Sequence, residues 1–203
     1  MVKIVYFDYH GVLDRRHFAG LLETIAAAAR RPDVPAVIAT VKPSGYAYAC
    51  GRMTPTDFWS AIAHDYGAAA ATAGKKYILH VDPIREMWQL LNEIHPHIQL
   101  GLFSDCSLDK LAAIRNAYDL PTFFDSILFS CEAGVSKEDA DFYQTMTQNQ
   151  VYLPGECLLI DDNPDNVARA IASGFQAHVF SSPSECRQFL GTVVQKDPLV
   201  QEG

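Results

Sequence analysis

The strongest constraint on the fold is a short apolar run that ends in an acid, Ile4-Val5-Tyr6-Phe7-Asp8. A strand with one wet face alternates apolar and polar residues. A near-continuous run belongs to a strand buried on both faces, as in a parallel sheet. This pattern predicts a strand over 3–8, and similar runs predict others over 98–104, 126–130, 157–161 and 177–180. Helical signals separate the later runs. Ile84, Met87, Trp88 and Leu91 recur at helical spacing, and Leu108, Leu111, Ala112 and Tyr118 do so less cleanly. Asn163-Pro164 offers an N-cap followed by proline at the first helical position, and Gly174 closes that helix. Alternating strands and helices predict an α/β fold with a Rossmann-like parallel sheet.

Residues 15–81 interrupt this alternation. They contain helical patterns and no convincing strand. Phe18, Leu21, Leu22 and Ile25 form one apolar face, and Thr54-Pro55-Thr56-Asp57 reads as a capped helix start leading into Phe58, Trp59 and Ile62. Pro32, Pro35, Pro43 and Gly45 are expected to break the stretch between them. The division is therefore a core of 1–14 and 82–203 with a helical insertion over 15–81. An insertion leaving the carboxyl end of the first strand sits over the edge where open α/β sheets bind ligands, so it reads as a cap.

The formal charge of −8 argues against a nucleic-acid partner, since backbone binding needs a basic footprint. No basic cluster suggests a membrane surface, and no apolar stretch approaches the roughly 20 residues of a membrane span. The N-terminal apolar run meets Asp8 too soon to read as a signal peptide. The five cysteines form no C-x-x-C pair, which predicts reduced thiols and a cytoplasmic setting. Oligomeric state is open.

The predicted strands end in polar residues: Asp8, Ser104-Asp105, Ser130 with Lys137 beyond it, and Asp161-Asp162. A parallel sheet gathers such ends on one edge. A carboxylate there can attack phosphorus and form an aspartyl-phosphate. Attack on a phosphate anion needs charge compensation. Magnesium held by one or two carboxylates supplies it, with help from a lysine. A hydroxyl and backbone N–H groups can hold the phosphoryl oxygens.

Phe7-Asp8-Tyr9-His10-Gly11-Val12-Leu13-Asp14 resembles the first motif of the haloacid dehalogenase-like (HAD) hydrolase superfamily. Leu102-Phe103-Ser104-Asp105 resembles the second. Ser130-Cys131-Glu132-Ala133-Gly134-Val135-Ser136-Lys137 resembles the third, which delivers a lysine. Leu158-Leu159-Ile160-Asp161-Asp162-Asn163-Pro164-Asp165-Asn166-Val167 resembles the fourth in its paired-Asp form. The insertion is similar to the family's small helical (C1-type) cap, and Gly51-Arg52-Met53-Thr54-Pro55-Thr56-Asp57-Phe58-Trp59 looks like a stretch of it.

The resemblance implies a Mg2+-dependent hydrolase acting on a small phosphorylated metabolite. Asp8 would be nucleophile and metal ligand, the His10 carbonyl a second ligand and Asp162 the direct carboxylate ligand. Asp161 and Asn166 would act nearby or through water. Tyr9, Ser104, Asp105 and Lys137 would bind the phosphoryl group. His10 departs from the family's phosphatases, which carry a second Asp there as general acid and base. Histidine suits that role near neutral pH, and nearby carboxylates are expected to keep it protonated. The alternatives are an inert His10, a carbon–halogen hydrolase, or a weakly catalytic or non-catalytic binding domain. Arg15, Arg16, Lys42, Tyr46, Tyr48 and Arg52 could face a substrate from the cap, but each reads better as an ordinary surface or packing residue.

Overall fold

A computed structural model describes residues 1–31, 33–148 and 152–194. Five parallel strands form one sheet: β1 (Ile4–Phe7), β2 (Gln99–Ser104), β3 (Ser126–Phe129), β4 (Cys157–Asp161) and β5 (Gln176–Val179), in the order β3-β2-β1-β4-β5. The α/β expectation is met. The central strand, β1, is buried throughout. Its alternate residues feed two separate cores. Val5 and Phe7 join Leu100, Leu102, Leu158 and Ile160 under α5 (Arg85–Ile94), α6 (Leu108–Ala117) and α10 (Pro183–Val193). Ile4 and Tyr6 join Phe103 and Leu159 on the opposite face. There α8 (Ala140–Gln148), which follows the one-turn α7 (Ser130–Ala133), contributes Phe142, Tyr143 and Met146, and α9 (Pro164–Ala172) contributes Ala170. Burial on both faces is why the run lacks polar alternation.

Between β1 and α5 the chain forms α1 (Phe18–Ala28), α2 (Val34–Ala49), α3 (Pro55–Tyr66) and α4 (Ala68–Leu79). These helices carry their own core, including Leu21, Ile25, Val41, Tyr48, Phe58, Trp59 and Ile78. Thr54 caps α3 as expected, its hydroxyl accepting from the Asp57 N–H.

The expected breaks are corrected at three positions. Pro35, Pro43 and Gly45 lie inside the single helix α2, whereas Pro32 is outside the described residues. Pro35 occupies the first turn, where its missing N–H has no helical partner to lose. Gly45 is buried because the Phe18 ring packs on it: an added Cβ would lie 2.8 Å from Phe18 Cζ. Tertiary packing of α1 on α2 therefore overrides weak helix propensity.

The two chains linking insertion to core run beside each other. Arg15 N–H donates to the Asp82 carbonyl, and Ile84 N–H donates to the Leu13 carbonyl, at 2.8 and 2.9 Å. A short antiparallel bridge joins Asp14 and Pro83.

Candidate active site

Strand register brings the acids together. Phe7 lies opposite Ile160, so the next residues, Asp8 and Asp161, emerge side by side. On the other flank, β2 ends at Ser104 beside Asp8. Asp8 is 6% exposed, and Ser104 and Asp161 are fully buried.

Three donors converge on one Asp8 oxygen. The Tyr9 N–H and the Ser104 hydroxyl each reach Oδ1 at 2.7 Å, and Lys137 Nζ reaches it at 2.8 Å. Among the described residues no donor occupies Oδ2. That oxygen is therefore the one available to a cation or an electrophile. Lys137 also contacts Asp161 Oδ2 at 2.6 Å and is 1% exposed. Burial alone would lower the pKa of its ammonium, but Asp161, Asp8 and Asp105 outweigh burial and hold the pKa well above the ordinary value.

Asp161 is saturated by the protein. Its Oδ1 accepts from Asn163 N–H at 2.9 Å and from Asn166 Nδ2 at 3.1 Å, and its Oδ2 accepts from Asn166 Nδ2 and Lys137. The Asn166 amide thus serves Asp161, and the Tyr143 hydroxyl ties the Asn166 and Lys137 carbonyls together. Burial is the main reason the Asp161 pKa is raised, with Lys137 opposing it. Asp162 differs. It is exposed and forms no ion pair among the described residues. Desolvation by the surrounding chain, then Asp8 and Asp161, push its pKa up to about 7.

Asp8, Asp161 and Asp162 each offer an oxygen within 4.8 Å of the others. Hard carboxylate oxygens at this spacing, one of them open to solvent, suit a magnesium ion, which binds at about 2.0–2.1 Å and keeps several waters. Gly11 makes the arrangement possible. Its φ is +80°, and an added Cβ would stand 2.1 Å from Asp162 Oδ2.

Asp105 accepts the Lys137 backbone N–H at 3.0 and 3.3 Å. Burial, opposed by Lys137, pushes its pKa up to about 7. Asp105 therefore holds the lysine loop.

The expected protonation of His10 is reversed. Burial, then the Lys110 ammonium, lower its pKa to about 4. His10 Nδ1–H donates to the Arg16 carbonyl at 2.8 Å. A carbonyl only accepts, so Nδ1 bears the proton and the neutral ring presents Nε2 as its lone-pair nitrogen.

Lys110 carries no functional signal in the sequence. It follows Leu108 and Asp109 on a helix whose apolar spacing leaves it no special place, yet it is fully buried. The cap candidates meet the core rather than an open cavity. Tyr48 donates to Asp109 at 2.5 Å, Tyr46 to Asp139 at 2.6 Å, and Arg52 to the Gly134 carbonyl at 2.6 Å. Lys42 pairs with Glu138, and Arg15 and Arg16 pair with Asp82. Ser130 accepts from Cys106 N–H and donates to the Ala49 carbonyl, joining α2 to the core. All five cysteines are free and buried, and no described helix is long and apolar enough to cross a membrane.

No protein-family model matches the chain. Solved structures do. A HAD family enzyme from Bacteroides thetaiotaomicron aligns with TM-score 0.77 at 16% identity, over 93% of this chain and 98% of that one. The same enzyme, solved in complex with magnesium and inorganic phosphate, aligns with TM-score 0.72. A predicted HAD-like family hydrolase from Porphyromonas gingivalis aligns with TM-score 0.75 at 22% identity, over 97% of this chain and 100% of that one. L-2-haloacid dehalogenase from Xanthobacter autotrophicus, with chloropropionic acid covalently bound, aligns with TM-score 0.59 at 21% identity, over 97% and 85%.

Proposed function

We propose that this chain, which has the fold of the HAD-family hydrolases, is a magnesium-dependent phosphatase that cleaves a small organic phosphate monoester through an aspartyl-phosphate on Asp8. The observation that carries this reading is the meeting of Asp8, Asp161 and Asp162 within 4.8 Å, with the Lys137 ammonium between Asp8 and Asp161. A bound magnesium would be held by Asp8, the His10 carbonyl and Asp162, with Asp161 beside it, and would supply charge neutralisation for the phosphoryl group. The relative solved with magnesium and inorganic phosphate has the same fold.

Asp8 attacks phosphorus through its carboxylate. The P–O ester bond breaks, and the alcohol leaves with a proton from solvent or a neighbouring group. Lys137 neutralises charge shared between Asp8 and the phosphoryl oxygens, and the Ser104 hydroxyl and Tyr9 N–H orient the nucleophile. Asp161 and Asn166 keep the Lys137 ammonium in place. In the second half, water attacks phosphorus, His10 Nε2 takes its proton, and inorganic phosphate leaves Asp8 restored. His10 stands in this reading for the second Asp of the family's phosphatases. Residues 15–81 act as the cap over a core of 1–14 and 82–203.

The test is phosphate release from an aryl phosphate, followed by a screen of phosphorylated metabolites. Release should need magnesium and fall on the order of 10⁴-fold or more in Asp8→Asn. His10→Ala should lower turnover about a hundredfold or more. Phosphate release that persists in Asp8→Asn would end the covalent reading.

One observation favours a second reading. With no acid at position 10, the site resembles a dehalogenase, where a halide leaves without a proton, and a haloacid dehalogenase shares the fold. The clustered Asp161 and Asp162 weigh against it, because that chemistry needs no cation. Metal-independent halide release from a 2-haloacid would reverse the ranking.

A further inference from the structure

A fully buried ion pair lies outside the nucleophile's surroundings. Asp14 and Lys110 are both 0% exposed, with Lys110 Nζ at 3.5 Å from Asp14 Oδ2. Desolvating two such charges usually costs as much as their attraction returns, and apolar residues of similar size hold a fold equally well. The pair therefore calls for a role other than stability. Its contacts indicate one.

Each charge grips a linker between core and insertion. Asp14 Oδ1 accepts the Arg16 N–H at 2.7 Å, on the outgoing linker. Asp14 Oδ2 accepts the Asp82 N–H at 2.9 Å, on the returning linker, and the Tyr9 hydroxyl at 3.2 Å. Lys110 donates to the His80 carbonyl at 2.8 Å, where α4 ends, and lies 5.5 Å from the centre of the Tyr9 ring. Arg16 is thus held through its N–H while its carbonyl accepts from His10 Nδ1. The Arg16 and Asp82 peptides, one on each linker, thus meet at one carboxylate.

We propose that Asp14 and Lys110 are positioning residues for His10. They hold the paired linkers in the one register that sets the Arg16 carbonyl against Nδ1, and so leave Nε2 as the basic nitrogen. A linker that moves out of register withdraws that carbonyl and frees the ring to rotate or to carry its proton on Nε2. The base is then ready only while the insertion is seated. This inference rests on the reading of His10 as the base in phosphoenzyme hydrolysis, and the experiment separates the two.

The direct measurement is ¹⁵N NMR of the histidine ring in the full chain. Wild type should show His10 as the neutral Nδ1–H form, and a neutral Nε2–H ring overturns the proposal. Lys110→Met and Asp14→Asn should each shift His10 toward mixed tautomers. Each should also slow phosphoenzyme hydrolysis about tenfold or more, below the full contribution of a general base. The rate of phosphoenzyme formation in a single turnover should stay within about twofold, since the pair takes no part in aligning Asp8 with phosphorus. A variant that melts earlier yet keeps the wild-type tautomer and hydrolysis rate assigns the pair a purely structural role. If either variant fails to fold, the wild-type tautomer still decides. Unchanged hydrolysis in His10→Ala, with the Nδ1–H tautomer present, sinks the base reading and leaves the positioning geometry standing.

Discussion

The carboxyl edge of the sheet and the docking face of the helical insertion both depend on charged side chains, but they use them in opposite ways. At the sheet edge Asp8, Asp161 and Lys137 are buried and pair with one another. The docking face spreads its polar contacts over the rim, with Lys42–Glu138 and Arg15–Asp82 largely solvated. Tyr48 and Trp59 bring buried aromatic bodies to it, both reaching Asp109. Removing one partner should be severe where water cannot replace it and mild where water can. The two regions thus differ in what the loss of one charged partner costs.

The largest effect should come from Lys137→Met. It leaves two carboxylates buried without their cation, which costs about 3–5 kcal/mol when one member of a buried pair is removed. Urea denaturation should show that loss, and added magnesium should recover part of it. A loss below about 1 kcal/mol would erase the contrast.

Next in size is the pH dependence of magnesium binding. The folded-state pKa of Asp162 is about 7, against an ordinary 3.8. A raised carboxylate pKa means that folding favours the protonated form. Its contribution to stability is complete below the unfolded value and is lost as pH rises through about 7. A cation replaces the proton, so affinity should fall by about tenfold per unit below pH 7 and flatten above it. Thermal-shift titrations with magnesium at pH 6 and pH 8 measure this, and equal shifts at both values would contradict it.

The smallest effect should come from Tyr48→Phe, which removes one hydroxyl from Asp109 while Trp59 and Ser107 still donate to it. A loss of about 1–2 kcal/mol in thermal stability is expected, with turnover changed less than about threefold. A collapse of turnover comparable to Lys137→Met would mean that the docking face belongs to the chemistry.

The strand ends could be read from the chain because burial on both faces writes an uninterrupted apolar run, and a polar residue closes each run where the backbone leaves the sheet. That logic reached Asp8, Ser104, Asp105, Ser130, Asp161 and Asp162, with Lys137 beyond the third run, and motif resemblance then gave them their roles. The structure holds Lys137 and Asp162 beside the same edge as Asp8. Pro43 and Gly45 misled because propensity is local, whereas the helix around them is held by Phe18 from another helix. Lys110 gave no signal, since burial of a charge depends on a partner far along the chain.

By itself, then, the order of apolar runs determined the sheet, the insertion and the acids at its edge, because periodicity and strand termination are properties of neighbouring residues. Only the tertiary structure decided which oxygen of Asp8 stays free, which nitrogen of His10 carries the proton, and which side chains fasten the insertion. Those outcomes depend on distances between segments that the chain brings together only on folding.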